Sequence, residues 1–165
     1  MEMIELLELP AYRHMLLNHI PVIGLFMALV VLLAGLVVRQ NALLFTGLTL
    51  VALTSGCSYL VILYGDAAYP AIYDQLDGHG RDWLDYHGEL AEAWAPLLYA
   101  NAVLAVLAII LCAVRPRTLR LASLLVVLVT VASLVGTSLI ARSGGKIQHP
   151  EFRLTDPPNP IKTTR

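Results

Sequence analysis

"MLLNHIPVIGLFMALVVLLAGLVV", residues 15–38, runs for 24 positions without an Asp, Glu, Lys or Arg. A helix rises about 1.5 Å per residue, so roughly 20 such residues cross the ~30 Å hydrocarbon core of a bilayer. Three further stretches, 40–65, 93–114 and 121–141, are equally free of charge. Of the 165 residues, 58% are hydrophobic and only 14% charged, too apolar a balance for a water-soluble domain of this length. The reading is an all-α, four-helix transmembrane bundle made of two helical hairpins, with spans at about 19–38, 42–64, 93–114 and 121–141. A structured extramembrane loop over 66–92 joins the hairpins. Residues 1–142 form the membrane domain, and 143–165 a return segment and extended tail.

The connections differ in kind. Arg39–Asn41 and "RPRTLR" (115–120) are tight, the second stopped by Pro116. In the long connection, "DAAYPAIYDQLDGHGRD" (66–82) predicts a short interfacial helix and then a glycine turn at Gly78-His79-Gly80. From Asp82 onward, Trp83, Tyr86, His87, Leu90 and Trp94 fall on one face of a helix entering the third span, which Pro96 is expected to kink. After the fourth span, Gly144-Gly145 is expected to fold the chain back, with Pro150 stiffening the return and the proline-rich end extended.

Charge sorts by side. The two tight turns hold Arg39, Arg115, Arg117 and Arg120 and no acid, whereas all 12 acidic residues and the other seven bases lie at the opposite end. All five histidines, all seven tyrosines and both tryptophans are at that acidic end or in the adjoining half of a span. The all-arginine turns point to the cytoplasmic side under the positive-inside rule, placing both termini and the histidine face outside. In a bacterium that is the periplasmic side of the inner membrane.

Glu2, Glu5 and Glu8 precede a full-length span, unlike the basic start of a secretory signal, so an uncleaved N-terminal region is expected. Cys57 and Cys112 lie in different spans, outside any C-x-x-C pair, which argues against haem c and a zinc ribbon. No basic stripe interleaved with aromatics supports nucleic-acid binding. A transporter's proton relay is disfavoured, since no span core carries Asp, Glu, Lys or Arg.

Histidines carry the chemistry. His19 opens the first span, His87 precedes the third and His149 follows the fourth, so three segments bring imidazoles to one end of the bundle. Helical spacing stacks His19 over Ile23, Phe26 and Val30, and both His19 and His87 are expected to point inward. Glu89 and Glu92 fall away from the His87 face. His14 and His79 read as solvated. Arg142, Lys146 and Arg153 surround the return segment and suit an anionic group such as a haem propionate, a lipid phosphate or a carboxylate.

"LLNHIP" (16–21), "HGELAEAW" (87–94) and "SGGKIQHPE" (143–151) are similar to the N-H-x-P, H-x-E-x-A-E and G-G-x-I-x-H-P-E motifs of small four-span bacterial inner-membrane proteins of no assigned activity. The resemblance covers about 14–151. It implies that His19, His87, Glu89, Glu92, His149 and Glu151 are positions of interest, and implies no particular reaction.

Two neutral imidazoles on facing helices are a common axial pair for haem. The leading expectation is therefore a membrane electron-transfer protein binding haem b through His19 and His87. His149, Arg142 and Lys146 would be further cofactor contacts, and electrons would pass between quinol in the bilayer and a periplasmic redox protein. The acidic outer end would attract a basic partner. A second expectation is a haem-free Zn, Cu or Fe site on His19, His87, His149 and Glu151. A third is a non-catalytic subunit of a larger membrane complex. Polar Ser, Thr and Asn positions in the spans, such as Thr54, Ser55, Ser58, Asn101, Thr130 and Ser133, would bond between helices in all three cases.

Overall fold

The computed structural model describes residues 3–158, in which every regular element is a helix and none a strand; the rest of the expected extended tail, 159–165, lies outside the described residues. In chain order, α1 (Met3–Glu8) and α2 (Pro10–Leu17) lead through a π-helical turn (Ile20–Gly24) into α3 (Leu25–Val37). Then come α4 (Asn41–Tyr73), α5 (Gly78–Val114) and α6 (Leu119–Gln148). Single 3-10 turns occupy Pro116–Thr118 and Pro150–Phe152. Four helical stretches, Pro10–Val37, Asn41–Tyr73, Gly78–Val114 and Pro116–Gln148, are long and apolar enough to cross a membrane. The chain is a multi-pass integral membrane protein.

Consecutive helices pack side by side and α3 closes the ring against α6. Leu25, Ala28 and Leu32 of α3 meet Leu44, Leu48 and Val51 of α4, Leu98 and Ala105 of α5 and Val126 of α6, all nearly or fully buried. The opposite faces, including Phe26, Leu53, Val103 and Leu128, remain exposed and suit acyl chains. With lipid as solvent, close approach rather than hydrophobic expulsion drives this packing. A Cβ added to Gly47 would stand 2.6 Å from Leu32 Cγ, and one on Gly35 would stand 2.9 Å from Leu44 Cδ2. These two glycines let α3 and α4 pack backbone to side chain.

Both tight turns form where expected. Arg39 takes φ 58°, and Gln40 N–H reaches back to the Gly35 carbonyl at 3.0 Å, a left-handed helix end built without glycine. At the other turn α5 stops at Val114, ahead of Pro116.

At the opposite end three expectations are corrected. The 66–92 connection contains no separate interfacial helix; α4 continues through Pro70 to Tyr73, so both neighbouring spans extend past the apolar band. Gly78-His79-Gly80 is not the turn but the first turn of α5, because the Asp77 carboxylate accepts the Gly80 N–H at 2.5 Å and caps the helix. The reversal lies at 74–77 instead. Gly144-Gly145 likewise stays inside α6, and the chain departs only at His149, with φ −115° and ψ 87°. Pro96 sits within α5, and helix continues on both sides.

Arg153 holds this end together. Its side chain is 5% exposed, and it donates to the Lys146 and Ile147 carbonyls at the end of α6 and to both carboxylate oxygens of Asp77 at 2.9 and 3.0 Å. One guanidinium thus satisfies two of the open carbonyls of α6 and anchors the α4–α5 turn.

Candidate functional site: a paired imidazole between α2 and α5

His14 of α2 and His87 of α5 face each other, with ring centroids 6.3 Å apart and planes at 85°. Each ring is positioned by a helix other than its own. His14 Nδ1 lies 2.8 Å from the Val61 carbonyl of α4. His87 Nδ1 lies 3.0 Å from the Ile140 carbonyl and 3.0 Å from Ser143 Oγ of α6. Ser143 itself donates to Ile140 at 2.7 Å, so its oxygen is free to accept from the imidazole.

These contacts decide the tautomer. A backbone carbonyl only accepts, so each neutral ring must carry its proton on Nδ1 and donate it there. Nε2 of each ring keeps its lone pair. Fixing one imidazole nitrogen on a carbonyl while the other is presented is how proteins orient histidines toward a metal.

Two glycines make room for the rings. A Cβ at Gly65 would stand 3.0 Å from His14 Nδ1, and one at Gly144 would stand 3.1 Å from His87 Cε1. The backbone of α2 packs along α4, and that of α5 along α4 and α6. The imidazoles therefore meet where α2 and α5 both pack against α4.

The inward face of the first span explains why His14, and not His19, reaches this place. His14, Asn18, Pro21, Leu25, Ala28, Leu32 and Gly35 recur at alternating steps of four and three residues, and Pro21, Leu25, Ala28, Leu32 and Gly35 are buried. His19 is one position out of step. It is exposed, as are Ile23, Phe26 and Val30 on the column once expected to face inward. That expectation is corrected: the column is the lipid face. His87 does lie on the buried face of α5, with Trp83 at 3% and Leu90 at 6% exposure.

The remaining candidates stand apart from the pair. His149 is exposed, bonds Glu151 at 2.9 Å through Nδ1 and lies on the Phe152 ring at 5.0 Å between centroids. Its own backbone N–H, and then the His149 contact, hold the Glu151 carboxyl below its ordinary range. Lys146 places Nζ 3.9 Å from the centre of the Trp83 ring, a cation–π contact. Arg142 is exposed. Arg142, Lys146, Glu151 and Phe152 border an open groove of about 560 Å³ where the chain leaves α6. Among the described residues no three His, Cys, Asp or Glu side chains are grouped to hold a metal ion, so His19, His87, His149 and Glu151 do not form one ligand set.

His14 was the residue missed. Reading inward from the buried leucines would have found it, because the four-three spacing extends unbroken from Gly35 back to position 14. No family model, no curated protein and no solved structure matches this chain.

Proposed function

We propose that this protein is a membrane electron carrier that holds haem b between His14 and His87. The observation that supports it is the pair itself: two imidazoles from different helices, each with Nδ1 on a backbone carbonyl, an arrangement that leaves Nε2 of a neutral ring its lone pair. A metal held at about 2.0–2.1 Å from each Nε2 would set the ring centroids roughly 6 Å apart, close to the spacing observed. Haem iron takes four equatorial nitrogens from the porphyrin and needs only two more. A bare zinc or copper ion in a protein draws three or four ligands from side chains, more than the pair provides.

His19 plays no axial part in this reading, since it faces the lipid. Arg142 and Lys146 remain the cations available to a haem's propionates, and His149 with Glu151 belongs to the outer surface. We place the histidine end in the periplasm of a bacterial inner membrane, with the four arginines of the tight turns inside. Quinol in the bilayer would supply electrons, and a soluble periplasmic redox protein would accept them.

The test is optical. Protein purified in mild detergent from haem-replete cells is expected to give a sharp dithionite-reduced haem b spectrum. His14→Ala and His87→Ala each abolish or broaden it, while His19→Ala leaves it unchanged. A colourless parent protein, or loss of the spectrum in His19→Ala with His14→Ala unaffected, would overturn the reading.

A further inference from the structure

The middle of the bundle is polar where its surroundings are not. Asn101 of α5 is 0% exposed and donates to Ser55 of α4 at 3.0 Å and to Thr130 of α6 at 3.2 Å. This triad ties three helices at one depth. The chain runs in the same direction through α4 and α6, away from the arginine turns. Ser58 and Ser133, each three residues past the triad, therefore share the next level, about 4.5 Å nearer the histidine end.

Ser58 is 2% exposed and Ser133 0%, and neither hydroxyl has a hydrogen-bond partner among the described residues. That is unusual for a serine in a membrane helix, whose hydroxyl can fall back on a carbonyl of the preceding turn. Thr54 and Thr137, their neighbours in the same two helices, do so, at 2.7 and 3.2 Å. Leaving a buried hydroxyl unpaired is costly, and here two fall at one level. Above them the Trp94 ring lies so close to Gly136 that an added Cβ would stand 2.4 Å from it. Gly136 stands three residues past Ser133 in α6, so the two serines lie between the level of the Asn101 triad and that of the Trp94 contact.

We infer that Ser58 and Ser133 bind resident water inside the bundle, held between the Asn101 triad and Trp94. A buried water makes about three hydrogen bonds to otherwise unsatisfied groups, and the two serines with the polar atoms of the triad provide that many. The site takes neutral water because no charged side chain reaches this depth in any span. It gives the protein a hydrogen-bonding, proton-exchanging station inside the hydrocarbon thickness, whatever the imidazole pair holds.

Water-edited solid-state NMR on the protein in lipid bilayers tests this directly. The Ser58 and Ser133 Cβ signals are expected to gain polarisation from water several-fold faster than those of Val51 and Ala105, which are equally buried but apolar. Ser133→Ala is expected to slow the gain at Ser58, since the shared water loses a partner. Ser58 and Ser133 signals that build up as slowly as Val51 would overturn the inference. So would a Ser58 signal indifferent to Ser133→Ala.

Discussion

His14 and His87, 73 positions apart in the chain, present their rings to each other at 6.3 Å, and each is aimed by a carbonyl from a third or fourth helix. Neither ring touches its carbonyl partner through its own helix. The pair therefore exists only when α2 has docked on α4 and α5 on α6, which makes it a product of the assembled bundle.

The glycines behind the rings provide the most selective perturbation. Gly144→Ala and Gly65→Ala each place a methyl carbon 3.0–3.1 Å from an imidazole atom, so the ring must tilt off its carbonyl. If the pair holds haem as proposed, both variants lower haem occupancy several-fold in purified protein. Gly145→Ala, whose added carbon meets nothing within 4 Å, serves as control and should leave occupancy at the parent level.

Packing in the core has its own test. Gly136→Ala drives a methyl into the Trp94 ring, and overpacking of this kind costs about 1–3 kcal/mol. A lowered thermal midpoint in detergent is the expected result. Gly56→Ala, which meets nothing within 4 Å, should leave the midpoint in place.

Asn101→Leu removes the partner of two buried hydroxyls at once. Interhelical hydrogen bonds in membranes average about 0.6 kcal/mol, but orphaning Ser55 and Thr130 adds a cost of about 1–3 kcal/mol each. The variant should unfold in denaturing detergent well before the parent. Combining it with Ser55→Ala and Thr130→Val should recover part of the loss, because no hydroxyl is then left unpaired.

The Asp77–Arg153 clasp predicts a pH dependence. The Gly80 N–H, with Arg153 adding to it, holds the Asp77 carboxyl below its ordinary value. A carboxylate stabilised in the folded state contributes fully above its unfolded pKa, about 4, and that contribution is lost as pH falls through the lower folded value. Stability of the histidine end, read as limited proteolysis of the 143–158 segment, should therefore fall below about pH 4. Asp77→Asn should flatten that dependence, and Arg153→Ala should expose the segment at neutral pH.

The four spans, both tight turns and the inward face of α5 were legible because they depend on local rules: runs without charge, prolines, and three- or four-residue spacing. The histidine end was less so. Gly78-His79-Gly80 and Gly144-Gly145 carry the composition of turns, yet Asp77 caps one into a helix and Arg153 binds the last carbonyls of the other. The first is a local cap that the glycine composition masked, and the second needs a side chain returning from beyond the end of the helix. His19 drew attention through its place in "LLNHIP", while the face that packs was set by α4 and α6 against Leu25, Ala28 and Leu32. A single residue of phase separates lipid from core, and His14 fell on the buried side.

The most direct test of the proposed haem between the two imidazoles is the electron paramagnetic resonance spectrum of the oxidised protein at low temperature. Crossed axial imidazole planes leave two iron d orbitals nearly degenerate, which gives a strongly anisotropic low-spin signal with one dominant feature at large g. With ring planes at 85°, that signal is the predicted result, and it should vanish in both His14→Ala and His87→Ala. A rhombic three-line spectrum of parallel planes, a high-spin signal, or no haem signal at all would contradict the account.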